Sequence, residues 1–447
     1  MPAASELSAP CEQASAARRP RPRLARVVAA VLRDPFAQKG VLSVIDQAIV
    51  SGTSFATSVI IGRLCSKEDL GLYYLALSII LIVRGVQEQL IATPYRIHCN
   101  RQHGESLAGY TGSMLVHQSG LVVLTMFGLL GLVGLTALGL GPADLAPAVW
   151  ALLGAVPLLL LRECVRQVAF ARLEMATAIG WDLVVSVLQI GGLLVLWHLH
   201  LLSVVTAYLV LGGAGGAALF GWLYFRRESW HITAARILPD WRRNWSLAKW
   251  ALGSLLVSSA TPYIGPWLLA SCHGVTATGV LAACTSVAGL SQMLLMGMNN
   301  YLSSQSARAY ACGGAPELRR VLIKSAVVFA VTIGGFCLIL VVAGDAVLTL
   351  AYGTKYAGHG DVIAAAAVYV LAIAFGNVAG NGLWAIERPQ AHFKADLGAL
   401  LVTLVATFYL IPPLGPLGAA LAALAGAVSG TIVRIAAMWP FLEGAPT

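Results

Sequence analysis

Residues 41–62 read VLSVIDQAIVSGTSFATSVIIG, a run that is long enough and apolar enough to cross a bilayer as one α-helix, for which about 20 residues suffice. Similar runs recur along the chain between charged or Pro/Gly-rich breaks, without strand-like alternation. The predicted spans are 41–62, 71–93, 112–138, 146–168, 176–197, 201–225, 247–270, 278–302, 322–343, 361–385, 394–412 and 415–438. The sequence therefore predicts an all-α polytopic membrane protein with about twelve transmembrane helices.

The composition excludes the common soluble classes. Of the 447 residues, 58% are apolar and 11% are charged, and the mean hydropathy is +0.78. Soluble domains carry about 25% charged residues, so an ordinary soluble enzyme, a disordered chain and a nucleic-acid-binding domain are excluded. The eight cysteines form no CxxC or Cys/His cluster, and no GxSxG, HExxH or Walker sequence occurs. We predict no cofactor, no metal and no nucleic-acid partner.

The positive charges predict the orientation in the membrane. With both termini in the cytoplasm, and with cations near the ends of spans counted in the adjoining loops, 25 of the 29 Lys and Arg residues fall on the cytoplasmic side and three outside, and Arg84 alone is counted within a span. This count assigns Arg162 and Arg166 to the loop after the fourth span. Residues 1–39 have no apolar signal region and are predicted to form a basic, disordered cytoplasmic tail along anionic headgroups.

The longest internal polar stretch divides the predicted spans into two equal sets. We predict an N-terminal six-helix lobe at 40–225, a cytoplasmic linker at 226–246 and a C-terminal six-helix lobe at 247–440. An even number of spans gives both lobes the same orientation, which is a parallel repeat about an axis along the membrane normal. Such repeats are a transporter architecture in which the substrate path runs between the halves.

Ionisable residues inside the first two spans are the strongest functional candidates, because a charge at membrane depth is costly. Asp46 lies on a polar face of the first span, and we predict that this face forms the wall of a hydrated cavity. Arg84, Gln87 and Glu88 share one face of the second span through i, i+3 and i+4 spacing. Either Arg84 and Glu88 form a structural salt bridge, or Arg84 contacts an anionic group of a substrate and is held by Glu88 or Asp46.

Further polar residues occur in pairs within later spans. Each pair either lines the substrate path or makes an inter-helix hydrogen bond, and the sequence leaves both readings open. The pairs are Asp182 with Gln189, Gln292 with Asn299, and Asn377 with Asn381.

Several segments resemble a known family. They are Ile45–Phe55 (IDQAIVSGTSF), Ile61–Leu64 with Glu68–Tyr73 (EDLGLY), Ala351–Ala357 (AYGTKYA), and Leu410–Gly415 with Leu417–Ala422. Together they resemble the polysaccharide-transport proteins, which are O-antigen-type lipid-linked oligosaccharide flippases of the multidrug/oligosaccharidyl-lipid/polysaccharide exporter superfamily. The resemblance covers nearly the whole membrane portion of the chain.

The resemblance implies a V-shaped pair of lobes that alternates between inward-open and outward-open states in the bacterial plasma membrane. The implied cargo is an undecaprenyl-diphosphate-linked glycan for surface polysaccharide assembly, and the protein is implied to be no enzyme. A polysaccharide polymerase or glycosyltransferases stay open as protein partners. The family's charged cavity residues match Arg84, Asp46, Glu88 and Asp182 here, while the second half shows no clear intramembrane cation.

Two other functions are alternatives to the flippase. A cation-coupled antiporter of the same superfamily would use Asp46 to exchange H⁺ or Na⁺ for an organic cation, although Arg84 disfavours a cationic cargo. A glycan polymerase or ligase would need a sizeable external region, whereas the longest predicted external loop is only about 344–360.

Overall fold

The computed structural model describes residues 35–99, 102–139, 145–172, 174–225 and 230–442. Within these residues the fold is built from helices and contains no strand, which confirms the predicted fold class. The α-helices are α1 (Pro35–Leu64), α2 (Lys67–Gln87), α3 (Thr93–Cys99), α4 (Glu105–Ala137), α5 (Leu145–Ala171), α6 (Met175–His198), α7 (Val204–Phe225), α8 (Ala234–Ala288), α9 (Gln292–Tyr352), α10 (Gly360–Ala385), α11 (Pro389–Leu414) and α12 (Pro416–Leu442).

Shorter helical turns join some of these helices. A π-helical turn (Glu88–Ala92) connects α2 to α3, and a 3₁₀ turn (Gly289–Ser291) connects α8 to α9. Another 3₁₀ turn (Thr354–Tyr356) follows α9. Helix ends follow local chemistry: Ser66 caps α2 through a capping box with Asp69, which satisfies backbone donors that the first turn leaves free.

Each of the twelve predicted spans lies on a helix. Ten stretches of helix in the described residues are long and apolar enough to cross a membrane, and one of them runs for 91 residues from Pro262 to Tyr352. It contains two glycines with left-handed backbone, Gly274 (φ 79°) and Gly314 (φ 61°). At Gly314 the chain reverses, since Met298 before it contacts Thr332 after it. The two glycines therefore divide this stretch into three spans.

Two bundles correspond to the two halves of the sequence. In the first half, α1 packs on α6, and α5 packs on α4 and α7. In the second half, α10 packs on α9 and α12, and α12 packs on α11. The largest contact between the halves joins α2 to α8, where Gly71 and Gly279 let the two backbones meet: a Cβ on either would lie 2.0 Å from a carbonyl oxygen of the other helix.

The predicted tail and linker boundaries differ from the observed helix ends. Residues 1–34 of the predicted tail and 226–229 of the predicted linker lie outside the described residues, whereas 35–39 already belong to α1. The linker is also shorter than predicted, because α8 begins at Ala234. This segment packs along α4: His117 bonds the carbonyl oxygen of Ile237 at 2.9 Å, and Tyr110 donates to Asn244 at 2.9 Å.

One end of the bundle holds the two halves together. We call it the loop end, formed by residues 63–69, 273–279 and 352–359. Here Lys355 donates to the carbonyl oxygens of Cys65 and, at 3.4 Å, Arg63. Thr276 donates to the Glu68 carboxylate at 2.5 Å. The two halves are thus joined by polar contacts at this end.

Candidate functional site

Six charged side chains from four helices of the first half form one cluster. They are Asp46 on α1, Arg84 on α2, Arg162, Glu163 and Arg166 on α5, and Asp182 on α6. We call these six residues the charge cluster. Three guanidinium groups face three carboxylates, so the cluster is neutral when all six are ionised. Neutrality matters because each buried charge costs several kcal/mol unless partners offset it, as a rough scale.

Arg166 is the centre of the charge cluster. Its Nη2 donates to Asp46 Oδ2 at 2.5 Å, its Nε to Asp182 Oδ2 at 2.7 Å, and its Nη1 to Glu163 Oε1 at 3.1 Å. The flat guanidinium fork can serve three carboxylates at once, whereas a lysine ammonium could not match this geometry. Arg162 bonds the second oxygen of Asp182. The cluster therefore ties α1, α5 and α6 together.

Arg84 is the most exposed arginine of the charge cluster. Its Nη2 donates to Glu163 Oε2 at 2.8 Å, and its side chain is 35% exposed, against 7% for Glu163. The side chains of Arg162 and Arg166 are only 14% and 12% exposed. Arg84 also lines a cavity of about 110 Å³ together with Ser54 and other residues of α1, α5 and α6. Its guanidinium is thus the group of the cluster that a ligand can reach most readily.

A cleft whose mostly apolar wall carries several hydroxyl and amide groups lies between the two halves next to this cavity. It has a volume of about 340 Å³. Its wall from the first half includes Ser51, Ser54 and Ser58, and its wall from the second half includes Thr285 and Gln292. A further cavity of about 270 Å³ extends the cleft into the second half, sharing Tyr74, Leu81, Thr285, Gly289 and Gln292. Hydroxyl and amide groups of this kind can hydrogen-bond a polar ligand without demanding a charge on it.

The structure separates Arg84 from Glu88. Glu88 instead pairs with Arg96 in the next helix, so the Arg84–Glu88 salt bridge is wrong for this structure. The π-helical turn explains the new partner of Glu88. Two turns take about 7.2 residues in an α-helix, and one extra residue in a π turn brings position 96 beneath position 88. Arg84 and Glu88 are still separated by a regular α-helical turn, but Arg84 pairs with Glu163 of α5 instead.

The other predicted residues fall into two groups. Asp46 and Asp182 belong to the charge cluster, and Gln292 lines the cleft. The remaining polar residues bond within the bundles: Gln87 donates to Gln118 and to the carbonyl oxygen of Leu160, and Gln189 donates to Thr57. Asn381 donates to the side chain of Asn299 at 2.6 Å and to the backbone oxygen of Asn377 at 2.8 Å. Gln87, Gln189 and the Asn381–Asn299 pair therefore join helices, whereas Asn377 contributes only its backbone oxygen within α10.

Arg162, Glu163 and Arg166 are functional candidates that the sequence analysis missed. Placing the two arginines in a cytoplasmic loop was wrong, because both lie inside α5, which continues to Ala171. The signal was present in the sequence as Arg162-Glu163 and Arg166, three charges at i, i+1 and i+4 within a predicted span. The count of positive charges by loop assigned both arginines to a cytoplasmic loop, so the sequence analysis did not consider them as residues of a site within the helices.

The second half also contains a cation within a membrane helix, contrary to the sequence-based expectation. Arg434 of α12 pairs with Asp396 of α11, and His392 lies 3.6 Å from the same carboxylate. Arg434 fits against Gly376 of α10, where a Cβ would approach its Nη1 to 3.0 Å. This second group of charges is separate from the charge cluster of the first half.

The fold is similar to that of solved membrane transporters. One similar structure is titled an inward-facing conformation of a multidrug resistance MATE family transporter of the MOP superfamily, with TM-score 0.72, 13% identity, and coverage of 90% of this chain and 96% of that chain. The lipid II flippase MurJ in an inward closed conformation matches with TM-score 0.71, 12% identity, and coverage of 89% and 87%. A MOP superfamily transporter from Pyrococcus furiosus matches with TM-score 0.63, 14% identity, and coverage of 92% and 97%.

The family is shown by the sequence itself. A family model described as polysaccharide biosynthesis protein matches residues 36–300, which is more than half of the chain. No curated protein matches the chain significantly in sequence. The chain belongs to the polysaccharide biosynthesis protein family, in agreement with the resemblance found in the sequence.

Proposed function

We propose that this protein is a flippase that moves a lipid-linked oligosaccharide of the undecaprenyl-diphosphate type across the bacterial plasma membrane, with both termini in the cytoplasm. The observation that carries the proposal is the Arg84 side chain, which is 35% exposed and lies beside a cleft that carries serine hydroxyl groups. Family membership and the transporter fold support it. The glycan would serve surface polysaccharide synthesis, with a polymerase or glycosyltransferases as partners in the same pathway.

The diphosphate is the cargo group that Arg84 fits. Arginine binds phosphate oxygens through two parallel N–H donors, which gives both charge and orientation. Releasing Glu163 from Arg84 leaves that carboxylate bonded to Arg166 and, at 3.0 Å, to Gln167. Arg84 can therefore exchange Glu163 for a phosphate without stranding a buried negative charge.

The remaining predicted residues take distinct roles in this proposal. Gln292 and the serine hydroxyls of the cleft would meet the sugar, while the lipid tail stays in the bilayer. Asp46 and Asp182 would position Arg166 and, through Glu163, Arg84. Glu88, Gln87, Asn299 and Asn377 would maintain helix packing. Rocking of the halves would break the loop-end contacts and expose the cleft on the other side.

Arg84→Ala and Arg84→Lys test the proposal, with Arg96→Ala as a matched control that removes an arginine from the Glu88 pair. The measurements are surface polysaccharide in cells and transfer of a lipid-linked oligosaccharide in vesicles, each normalised to inserted protein. Losing one charge-assisted hydrogen bond costs about 1.5–3 kcal/mol, which is about a 10- to 100-fold loss of affinity. Arg84→Lys should keep part of the activity. Full activity in Arg84→Ala would refute the role of Arg84.

A cation-coupled antiporter is the second candidate, and one observation favours it. Asp46 is 1% exposed, and its Oδ1 has no hydrogen-bond partner in the described part of the chain. A buried carboxyl oxygen with a free lone pair can take up a proton or a cation. Efflux of organic cations that depends on Asp46, together with unchanged glycan transfer in Asp46→Asn, would favour this function over the flippase.

A further inference from the structure

A groove opens between the two arms of the α9 hairpin that turns at Gly314, and it has a volume of about 550 Å³. Met298, Tyr301 and Gln305 line the outgoing arm, and Val321, Lys324 and Val328 line the returning arm. Its floor includes Leu302 and Phe329, which are 1% and 2% exposed, while Tyr301 stands at its side, 66% exposed. The volume falls within the roughly 300–1,000 Å³ of typical ligand pockets.

The groove straddles the boundary between hydrocarbon and headgroups. On the arm of α9 that follows Gly314, the exposed large apolar side chains begin at Ile323 and continue to Leu350, as a lipid-facing surface requires. The arginines Arg319 and Arg320 stand just before this surface, toward the hairpin turn. Since the Gly314 turn lies at the opposite end of the bundle from the loop end, this boundary belongs to the leaflet on that opposite side. One end of the groove is therefore at headgroup depth and the other within the acyl chains.

Cations gather at the headgroup end of the groove. Lys324 lines it directly. Arg308 follows Tyr301 and Gln305 at i+7 and i+3 on the same helix face. Among the described residues, neither Arg308 nor Lys324 forms an ion pair. A groove with an apolar end and an unpaired positive end is complementary to an anionic amphiphile.

We propose that this groove binds one anionic phospholipid of the surrounding bilayer, with Lys324 and Arg308 holding the phosphate and with Met298, Leu302 and Phe329 packing on an acyl chain. Basic residues at the membrane surface attract anionic headgroups, and an interhelical pocket adds a fixed position. The site lies outside the cleft between the halves, so it does not depend on which cargo the protein carries. By bridging the two arms of α9 it would stabilise the hairpin.

The experiment compares lipid retention by the full-length protein. Protein is purified from nanodiscs that contain phosphatidylcholine with or without phosphatidylglycerol, and bound lipids are counted by native mass spectrometry. The double variant Arg308→Ala/Lys324→Ala removes the cations. Gly297→Phe fills the groove, because a Cβ at Gly297 meets nothing within 4 Å. Arg319→Ala is the matched control, since residue 319 lies on the opposite face of the helix from residues 321, 324 and 328.

We expect one phosphatidylglycerol to be retained by the wild type and by Arg319→Ala. Each cation should account for about fivefold in affinity, so the double variant should bind about 25-fold more weakly. Gly297→Phe should lose the same lipid. Equal retention of phosphatidylcholine, or equal loss in Arg319→Ala, would overturn the proposal. Displacement of the lipid by about 10 mM inorganic phosphate alone would show that the site binds a free anion, and this result would overturn the proposal as well.

Discussion

Removing the Lys355 ammonium should weaken the contact between the two halves at the loop end. Lys355 lies in the turn after α9 and donates to the carbonyl oxygens of Cys65 and Arg63 at the end of α1. These carbonyls have no intrahelical partners, because the last turn of a helix leaves its acceptors free. A cation at a helix C-terminus also interacts favourably with the helix dipole. Lys355→Ala removes both contributions at once.

The magnitude follows from the geometry. A hydrogen bond from a charged donor contributes about 1.5–3 kcal/mol, and the lower value is appropriate because Lys355 is only half-buried. About 1.4 kcal/mol corresponds to a tenfold change in an equilibrium, so the population open at the loop end should rise about tenfold. Lys67→Ala is the matched control. Lys67 lies 5.6 Å from the centre of the Tyr356 ring, as Lys355 does, but in the described chain it bonds neither of the two carbonyls.

The assay is the alkylation rate of a cysteine placed at Ser54, which lines the cleft. The reagent is membrane-impermeant and is added on the loop-end side, in a background where the accessible native cysteines are replaced. Alkylation should be about tenfold faster in Lys355→Ala than in Lys67→Ala, by the conversion above. Equal rates in the two variants would refute the idea that the ammonium holds the halves together.

Three further predictions concern the charge cluster and the packing between helices. Arg166→Met should destabilise the fold by about 3–5 kcal/mol, because it leaves buried carboxylates without their shared partner. Arg96→Ala should cost at most about 1 kcal/mol, because the Arg96 side chain is more exposed. Thermal unfolding in detergent measures both variants. Gly71→Ala should disfavour closure at the loop end, since its Cβ would lie 2.0 Å from the Val275 carbonyl oxygen. Gly52→Ala is the control and should be neutral, because a Cβ at Gly52 meets nothing within 4 Å. The alkylation assay compares the two variants. Asp46→Asn keeps a hydrogen-bond acceptor for Arg166 and should still fold, but it should lose transport, because it removes the carboxylate charge. A transport rate equal to that of the wild type across pH would exclude the need for this charge.

The separation of Arg84 from Glu88 illustrates the limit of reasoning from spacing. An i, i+4 pair of opposite charge is a sound expectation on a regular α-helix. The π-helical turn begins at Glu88, and its extra residue turns the following face so that Arg96 becomes the partner. Sequence carries no simple signal for a single π turn, so this exchange could be found only in the structure.

Arg162 and Arg166 illustrate a different limit. The rule that positive charges collect in cytoplasmic loops is statistical, and it fails where a cation is neutralised inside the bundle. Two of their three carboxylate partners, Asp46 and Asp182, lie on other helices, α1 and α6. The sequence could have suggested that these arginines are intramembrane and that Glu163 pairs with Arg166 at i, i+3 spacing, but it could not have named Asp46 and Asp182.

The amino-acid sequence alone determined the helices and their number, because a backbone in lipid must satisfy its hydrogen bonds within each segment, and apolar runs with glycine or proline breaks mark those segments locally. It also marked Asp46 and Arg84, since a charge within an apolar run needs a special reason. The tertiary structure alone decided which charges meet, which guanidinium stays exposed to the cleft, and how the halves join at the loop end. Those outcomes depend on helix rotation and on contacts between residues far apart in the chain, where a shift of one residue in register changes every partner.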